Sequence, residues 1–144
     1  KALQSSIQDF HSPNLYDFIF TNPPFFDNDL LSSKSKKNMA LHSTHLSFQE
    51  LITAIDKHLS PNGSFAILLP YHRLLEFETL TKKYFVTRKA LIRQTPLHHY
   101  FRAFIILSKV KIEHVNIEEI IIADENKEYT SYFIHLLSPY YLHL

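Results

Sequence analysis

Along this chain the apolar positions fall into short continuous runs, broken by proline and serine, with one stretch of clear helical period between them. Phe18, Ile19 and Phe20 stand in succession within Tyr16-Asp17-Phe18-Ile19-Phe20-Thr21, which suits a strand buried on both faces. Pro23 and Pro24 cannot donate to a sheet ladder, so the strand stops before them and delivers Asn22 to a loop at its carboxyl end. Ser47-Phe48-Gln49-Glu50 has the form of a capping box. Leu51, Ile52, Ala54, Ile55 and Leu59 then continue with helical spacing until Ser60-Pro61-Asn62-Gly63. Residues 64–70 form the next buried strand, closed by Pro70, and a second helix is expected over 71–84, with Leu74, Leu75, Phe77, Leu80 and Phe85 able to face the sheet.

Strand, helix, strand, helix in this order demands a parallel sheet. Two further strands, 87–95 and 100–110, are joined only by Pro96-Leu97-His98-His99. A connection this short holds no crossover helix, so these two are expected to run antiparallel, and Phe101, Phe104, Ile105, Ile106 and Leu107 make the second one central and buried. Residues 112–123 form a further strand, with Asp124-Glu125-Asn126-Lys127 as the turn after it.

The tetrapeptide Asn22-Pro23-Pro24-Phe25 carries the chemistry. Asn22 offers a side-chain amide oxygen and Pro23 a carbonyl, two acceptors held in a rigid, extended array because each proline fixes its own φ and pushes the preceding residue out of the helical region. Phe25 adds a flat aromatic face beside them. Two acceptors and a stacking face fit a planar group bearing an NH2, such as the exocyclic amine of adenine. Accepting both amine hydrogens keeps the nitrogen lone pair out of the ring and free to attack a methyl donor, with no strong general base required.

This stretch resembles motif IV of amino-group methyltransferases that use S-adenosylmethionine. Taken with Gln8-Asp9-Phe10 before it and Leu46-Ser47-Phe48-Gln49-Glu50-Leu51 after it, the match is closest to the bacterial tRNA(Val) adenine-N6 methyltransferases. The resemblance implies that Asn22, Pro23, Pro24 and Phe25 hold the flipped adenine, that Ser6 and Ile7, with Asn22, lie on the cofactor side, and that the cofactor is S-adenosylmethionine. Many relatives of this fold place an acidic residue near Ser6; here there is a hydroxyl. The resemblance also implies a partial Rossmann-like class I methyltransferase sheet and a closing helix that begins at Tyr129-Thr130 and breaks at Ser138-Pro139, its aromatic stripe packed into the core.

Gly63 is the single glycine, so the glycine-rich turn that such a cofactor site uses after its first strand is absent. The expectation is that residues 1–144 are the carboxyl-terminal part of one methyltransferase domain, from the motif strand onward, lacking the first strands. The motif strand is then expected to expose its outer edge or pair it with another chain. Residues 27–46 are polar, and Lys34, Lys36 and Lys37 beside the base pocket are candidates for RNA phosphate contacts, with His42 as a further substrate contact implied by the resemblance. His42 and His45 have no third ligand at a fitting interval, so no metal is expected. The basic cluster Lys82, Lys83, Arg88 and Lys89 reads first as a solvated face.

Composition adds limits. The 144 residues are 45% hydrophobic and 20% charged, ordinary for one soluble domain or part of one, with no cysteine for disulfides or thiolate metal sites. A net charge of +1 gives no global pull toward nucleic acid. No apolar stretch approaches the ~20 residues of a membrane helix and no signal peptide precedes the first strand, so a cytoplasmic enzyme acting on tRNA is the expectation. Two alternatives stay open: a protein glutamine-N5 methyltransferase, whose substrate also presents an amide NH2 and whose motif is shared, and a non-catalytic module that binds RNA or another subunit through a truncated methyltransferase sheet.

Overall fold

The computed structural model describes residues 2–24 and 46–141. One mixed sheet runs in the order β1-β2-β4-β3-β5, with β1 at Tyr16–Thr21, β2 at Leu59–Pro70, β3 at Phe85–Arg93, β4 at Tyr100–Ser108 and β5 at Asn116–Ile121. Helices α1 (Phe48–His58), α2 (Leu74–Leu80) and α3 (Ser131–Leu137) accompany it, with a 3-10 turn at Tyr71–Arg73.

The capping box forms as the sequence dictates. The Ser47 hydroxyl accepts from the Glu50 N–H at 3.2 Å, and the Glu50 carboxylate accepts from the Ser47 N–H at 2.8 Å. Two orphan donors at the head of α1 are thereby satisfied. This helix is the crossover that lets β1 and β2 pair in parallel. A step of two residues along β1, from Tyr16 to Phe18, faces a step of five along β2, from Leu59 to Ser64, so the segment 60–63 bulges out at the lower end of the pair. Gly63 is buried there; a Cβ would stand 2.8 Å from the Leu59 side chain.

The core lies on the helical side of the sheet. Register sets Phe65 opposite Leu107, Ile67 opposite Ile105 and Leu69 opposite Ala103, and all six are sealed from solvent beneath α1 and α2. Phe77 of α2 stands edge-on to Phe48 and Phe65, at ring-centroid distances of 4.9 and 6.4 Å, and Tyr84 meets Phe65 edge-on at 4.9 Å. Such geometry sets the positive ring edge against the negative face.

β4 is central and antiparallel to both β2 and β3, as expected, and β5 adds to β3 in parallel, so β5 and not the hairpin forms the far border. β1 forms the near border and pairs, among the described residues, only with β2.

Three expectations need correction. The helix expected over 71–84 is a 3-10 turn followed by seven α-helical residues; its length presents only Leu74 and Phe77 to the core, while Leu75 and Leu80 face solvent and Phe85 opens β3. The Thr81 hydroxyl bonds to the Phe77 carbonyl and the chain leaves the helix there. The aromatic stripe of α3 is not core: no residue of that helix is buried, and it docks at β5 through polar bonds, Tyr132 Oη to Glu118 at 2.7 Å and Thr130 Oγ1 to the Ile121 carbonyl at 2.7 Å. The motif strand is not buried on both faces: as a border strand it leaves Phe18 and Phe20 more than half exposed. The basic cluster at 82–89 is solvated at Lys82, Lys83 and Arg88, with Lys83, Arg88 and Lys89 each paired to a different carboxylate, on Asp56, Glu118 and Glu78.

Candidate active site

β1 and β2 run in the same direction, and both end at one edge of the sheet, where Thr21 gives way to Asn22-Pro23-Pro24 and Pro70 to Tyr71. Asn22 is exposed, Pro23 is buried and Pro24 is exposed. The buried first proline anchors the loop while the residues on either side of it face outward. Phe25, Lys34, Lys36, Lys37 and His42 lie outside the described residues, as does most of the polar stretch 27–46.

Along the outer side of β1 runs a cavity of about 630 Å3, within the range of small-molecule sites. Ser5, Ser6 and Ile7 contribute to it from one side and Thr21, Pro23 and Pro24 from the other. Two groups of candidate residues that are separated in sequence thus share one concave space, while Asn22 stands just outside its lining. The floor is apolar, with Ile19, Leu51 and Ile55 among its residues.

The segment carrying Ser6 is strapped to α1 by three contacts. The Gln8 side chain bonds to Glu50, His11 Nδ1 lies 2.7 Å from Lys57 Nζ, and His58 Nε2 lies 3.1 Å from the Phe10 carbonyl with its ring 5.0 Å from that of Phe10. Hydrogen bonding from Ser47, by side chain and backbone, holds the Glu50 carboxyl below its ordinary range, so the group that anchors both helix and strap stays ionised.

Ser6 does not face the cavity with a free hydroxyl. Its Oγ donates to Asp9 Oδ2 at 2.6 Å and accepts from the Asp9 N–H at 3.2 Å. The two bonds close a turn over residues 6–9, and the Asp9 carboxylate, which is not part of the cavity lining, is used within that turn. Sequence reasoning missed this turn because a side chain bonded across it has no periodic signature. It also missed His58, a buried residue at the end of α1 that lines the cavity and whose Nδ1 has no hydrogen-bond partner among the described residues.

At the same edge, on the far side of β2, the β3–β4 hairpin carries a second polar group. Arg93 donates to Glu119 at 2.9 Å and to the Pro96 carbonyl at 2.7 Å, and Tyr100 Oη donates to Glu119 at 2.6 Å. The bond to the Glu119 carboxylate favours the protonated Tyr100 phenol and raises its pKa, while the same bond, followed by Arg93, lowers that of Glu119. This network ties the hairpin end to β5 at the edge of the sheet where β1 and β2 end.

No protein-family model matches the chain. Curated proteins named tRNA1(Val) (adenine(37)-N6)-methyltransferase do. The one from Dyadobacter fermentans is 54% identical over 66 residues, 46% of this chain and 28% of its own length. That of Shewanella sp. strain MR-7 is 30% identical over 131 residues, 90% of this chain and 56% of its own, and that of Shewanella sp. strain W3-18-1 is 29% identical over 152 aligned positions, 100% of this chain and 64% of its own. The chain thus spans between 28% and 64% of the length of these relatives. In architecture it is similar to the crystal structure of a predicted O-methyltransferase from Agrobacterium tumefaciens, with a TM-score of 0.66 and 11% identity over 94% of this chain and 61% of that one. The α/β methyltransferase sheet expected from sequence is the one the chain forms.

Proposed function

We propose that this chain is the base-binding side of an S-adenosylmethionine-dependent adenine-N6 methyltransferase that acts on tRNA. One observation carries the reading: Asn22-Pro23-Pro24 lies directly beyond β1 at the edge where both parallel strands end, in a chain that aligns over nearly all its length with adenine-N6 methyltransferases of tRNA. The carboxyl edge of a parallel sheet is where ligands of such folds bind.

In this reading Asn22 Oδ1 and the Pro23 carbonyl accept the two hydrogens of the target amine, and Phe25 stacks on a base swung out of its loop. Lys34, Lys36, Lys37 and His42 contact the RNA around it. Pro23 within the acceptor pair and Pro24 directly after it reduce the need to order the loop at the moment of reaction. The cavity along β1 has apolar walls, with Ile7 and Pro24 among them, that suit the adenine ring of the methyl donor; Ser6, its hydroxyl already bonded to Asp9, would contribute through its backbone. The donor, when bound, supplies an electrophilic methyl on a sulfonium. Asn22 and Pro23 would hold the amine with its lone pair out of the ring and turned toward the donor, and the proton that the amine gives up on methylation would pass to solvent.

The test is methyl transfer to tRNA by the product of the complete reading frame, wild type against Asn22→Ala, with S-adenosylmethionine binding followed by calorimetry. Removing one preorganised hydrogen-bonding group from a transition state costs about 10²–10³ in kcat. The expected result is a loss of that size with cofactor and tRNA affinity retained, and folding unchanged because Asn22 is exposed. Near-normal turnover by the variant, or no cofactor binding by the wild type, overturns the assignment.

A further inference from the structure

The net charge of +1 hides a segregation. Residues 80–112 carry eight Lys/Arg and no Asp/Glu, whereas the rest of the chain has seven Lys/Arg against fourteen Asp/Glu. Much of this positive charge is spent internally: Lys83, Arg88, Lys89 and Arg93 each pair with a carboxylate. Arg102 has no carboxylate partner among the described residues. Its bond is to the Phe101 carbonyl, at 3.4 Å, and its guanidinium lies 5.8 Å from the centre of the Phe101 ring.

The backbone explains why these two residues stand out. In the β3–β4 hairpin Ile92 pairs with Arg102 but Arg93 pairs with Tyr100, which leaves Phe101 as an extra residue in a bulge. A bulge re-aims the side chains beside it, and here an aromatic ring that its sequence run marks as core is 43% exposed. The bulge sits at the edge that carries Asn22. Thr21 pairs with Ile67, three residues before Pro70, and Pro70 pairs with Arg102, so Arg102 is two strands across and three residues further along than Thr21, about 14 Å from it at ordinary strand spacing and rise. Arg102 also shares a sheet face with Phe104, whose ring is 6.4 Å from that of Phe20 in β1.

The geometry points to Phe101 and Arg102 as the contact for the nucleotide next to the methylated base, with the Phe101 ring stacking on the neighbouring base and the Arg102 guanidinium meeting its phosphate. This rests on the tRNA reading above. An exposed ring beside an arginine without a carboxylate partner suits single-stranded nucleic acid, which offers a flat base and a fixed negative charge at each step. The Arg93–Glu119–Tyr100 network holds the hairpin end in place beneath them.

The experiment uses the product of the complete reading frame and its tRNA substrate, with Phe101→Ala, Arg102→Ala and Arg102→Lys measured for tRNA affinity across a salt series and for methyl transfer. For Phe101→Ala the expected loss is about tenfold in tRNA affinity, the size of one base stack. For Arg102→Ala the slope of log K against log salt should fall by about one, and Arg102→Lys should restore it. KM should rise in the two alanine variants while kcat at saturating tRNA stays near wild type, which a merely structural role would not produce. Unchanged affinity and salt slope in all three variants, with the wild type methylating tRNA, overturns this inference alone. A wild type that binds no cofactor or methylates only a protein glutamine overturns the functional reading, and this inference with it.

Discussion

Tyr84 links the second helix to the first and gives the fold a measurable alkaline limit. Its ring is 6% exposed and packs on Phe65, and its hydroxyl donates to Asp56 of α1, whose other carboxylate oxygen is paired with Lys83. Burial, followed by the hydrogen bond to Asp56, pushes the phenol pKa well above its ordinary value of 10. Tyr84→Phe removes a hydrogen bond to a charged group. Such bonds contribute about 1.5–3 kcal/mol, and with Asp56 part-exposed and still paired to Lys83 the loss should lie near 1.5 kcal/mol at pH 8. Raising the pH changes the comparison. In the unfolded wild type the phenol ionises through about pH 10, while in the folded state it stays protonated, so the wild type loses about 1.4 kcal/mol between pH 8 and pH 11 that the phenylalanine variant cannot lose. Every other titrating group is common to both proteins. Urea unfolding followed by circular dichroism should therefore show the gap in stability closing almost to zero by pH 11. A gap that stays constant across that range would refute the argument that burial and Asp56 hold the phenol neutral.

Two further outcomes follow from packing at the ends of α1. Ser47→Ala removes the hydroxyl half of the capping box and should cost about 1 kcal/mol by the same unfolding assay. Gly63→Ala places a methyl 2.8 Å from Leu59, a side chain itself sealed in the core, and should cost about 1–3 kcal/mol, with Gly63→Ala/Leu59→Ala less destabilised than the sum of its parts because the second change removes the clash.

What the sequence declared most clearly was local. The capping box of Ser47 and Glu50, the break at Pro23-Pro24 and the four-residue turn that forces an antiparallel hairpin are each decided by a few adjacent residues, and each formed as expected. Sidedness was harder to read. Leu75 and Leu80 carry the same apolar label as Leu74 and Phe77, but a seven-residue helix has only one face to bury, and where the helix stops is set by Thr81 bonding back to Phe77. Phe101 looked like core because it begins an apolar run; a one-residue slip in pairing turned it outward. At the candidate site, Asn22, Pro23 and Pro24 were legible as a motif, whereas the bond that ties Ser6 to Asp9 depends on a turn and the place of His58 on a strap crossing from Phe10, contacts that no spacing rule encodes.

The paired prolines at the end of β1 have a consequence beyond chemistry. Among the described residues β1 is a border strand with Phe18 and Phe20 more than half exposed, an apolar ribbon of the kind onto which a second strand adds and from which fibrils grow. Pro23 and Pro24 follow Asn22, one residue past the end of β1, and neither has an N–H, so a strand laid along that border finds no donor at those two positions. The two residues act as gatekeepers. Engineering the loop for a larger substrate by replacing them would lengthen a sticky border at the same stroke, so solubility and substrate range are coupled at this one dipeptide.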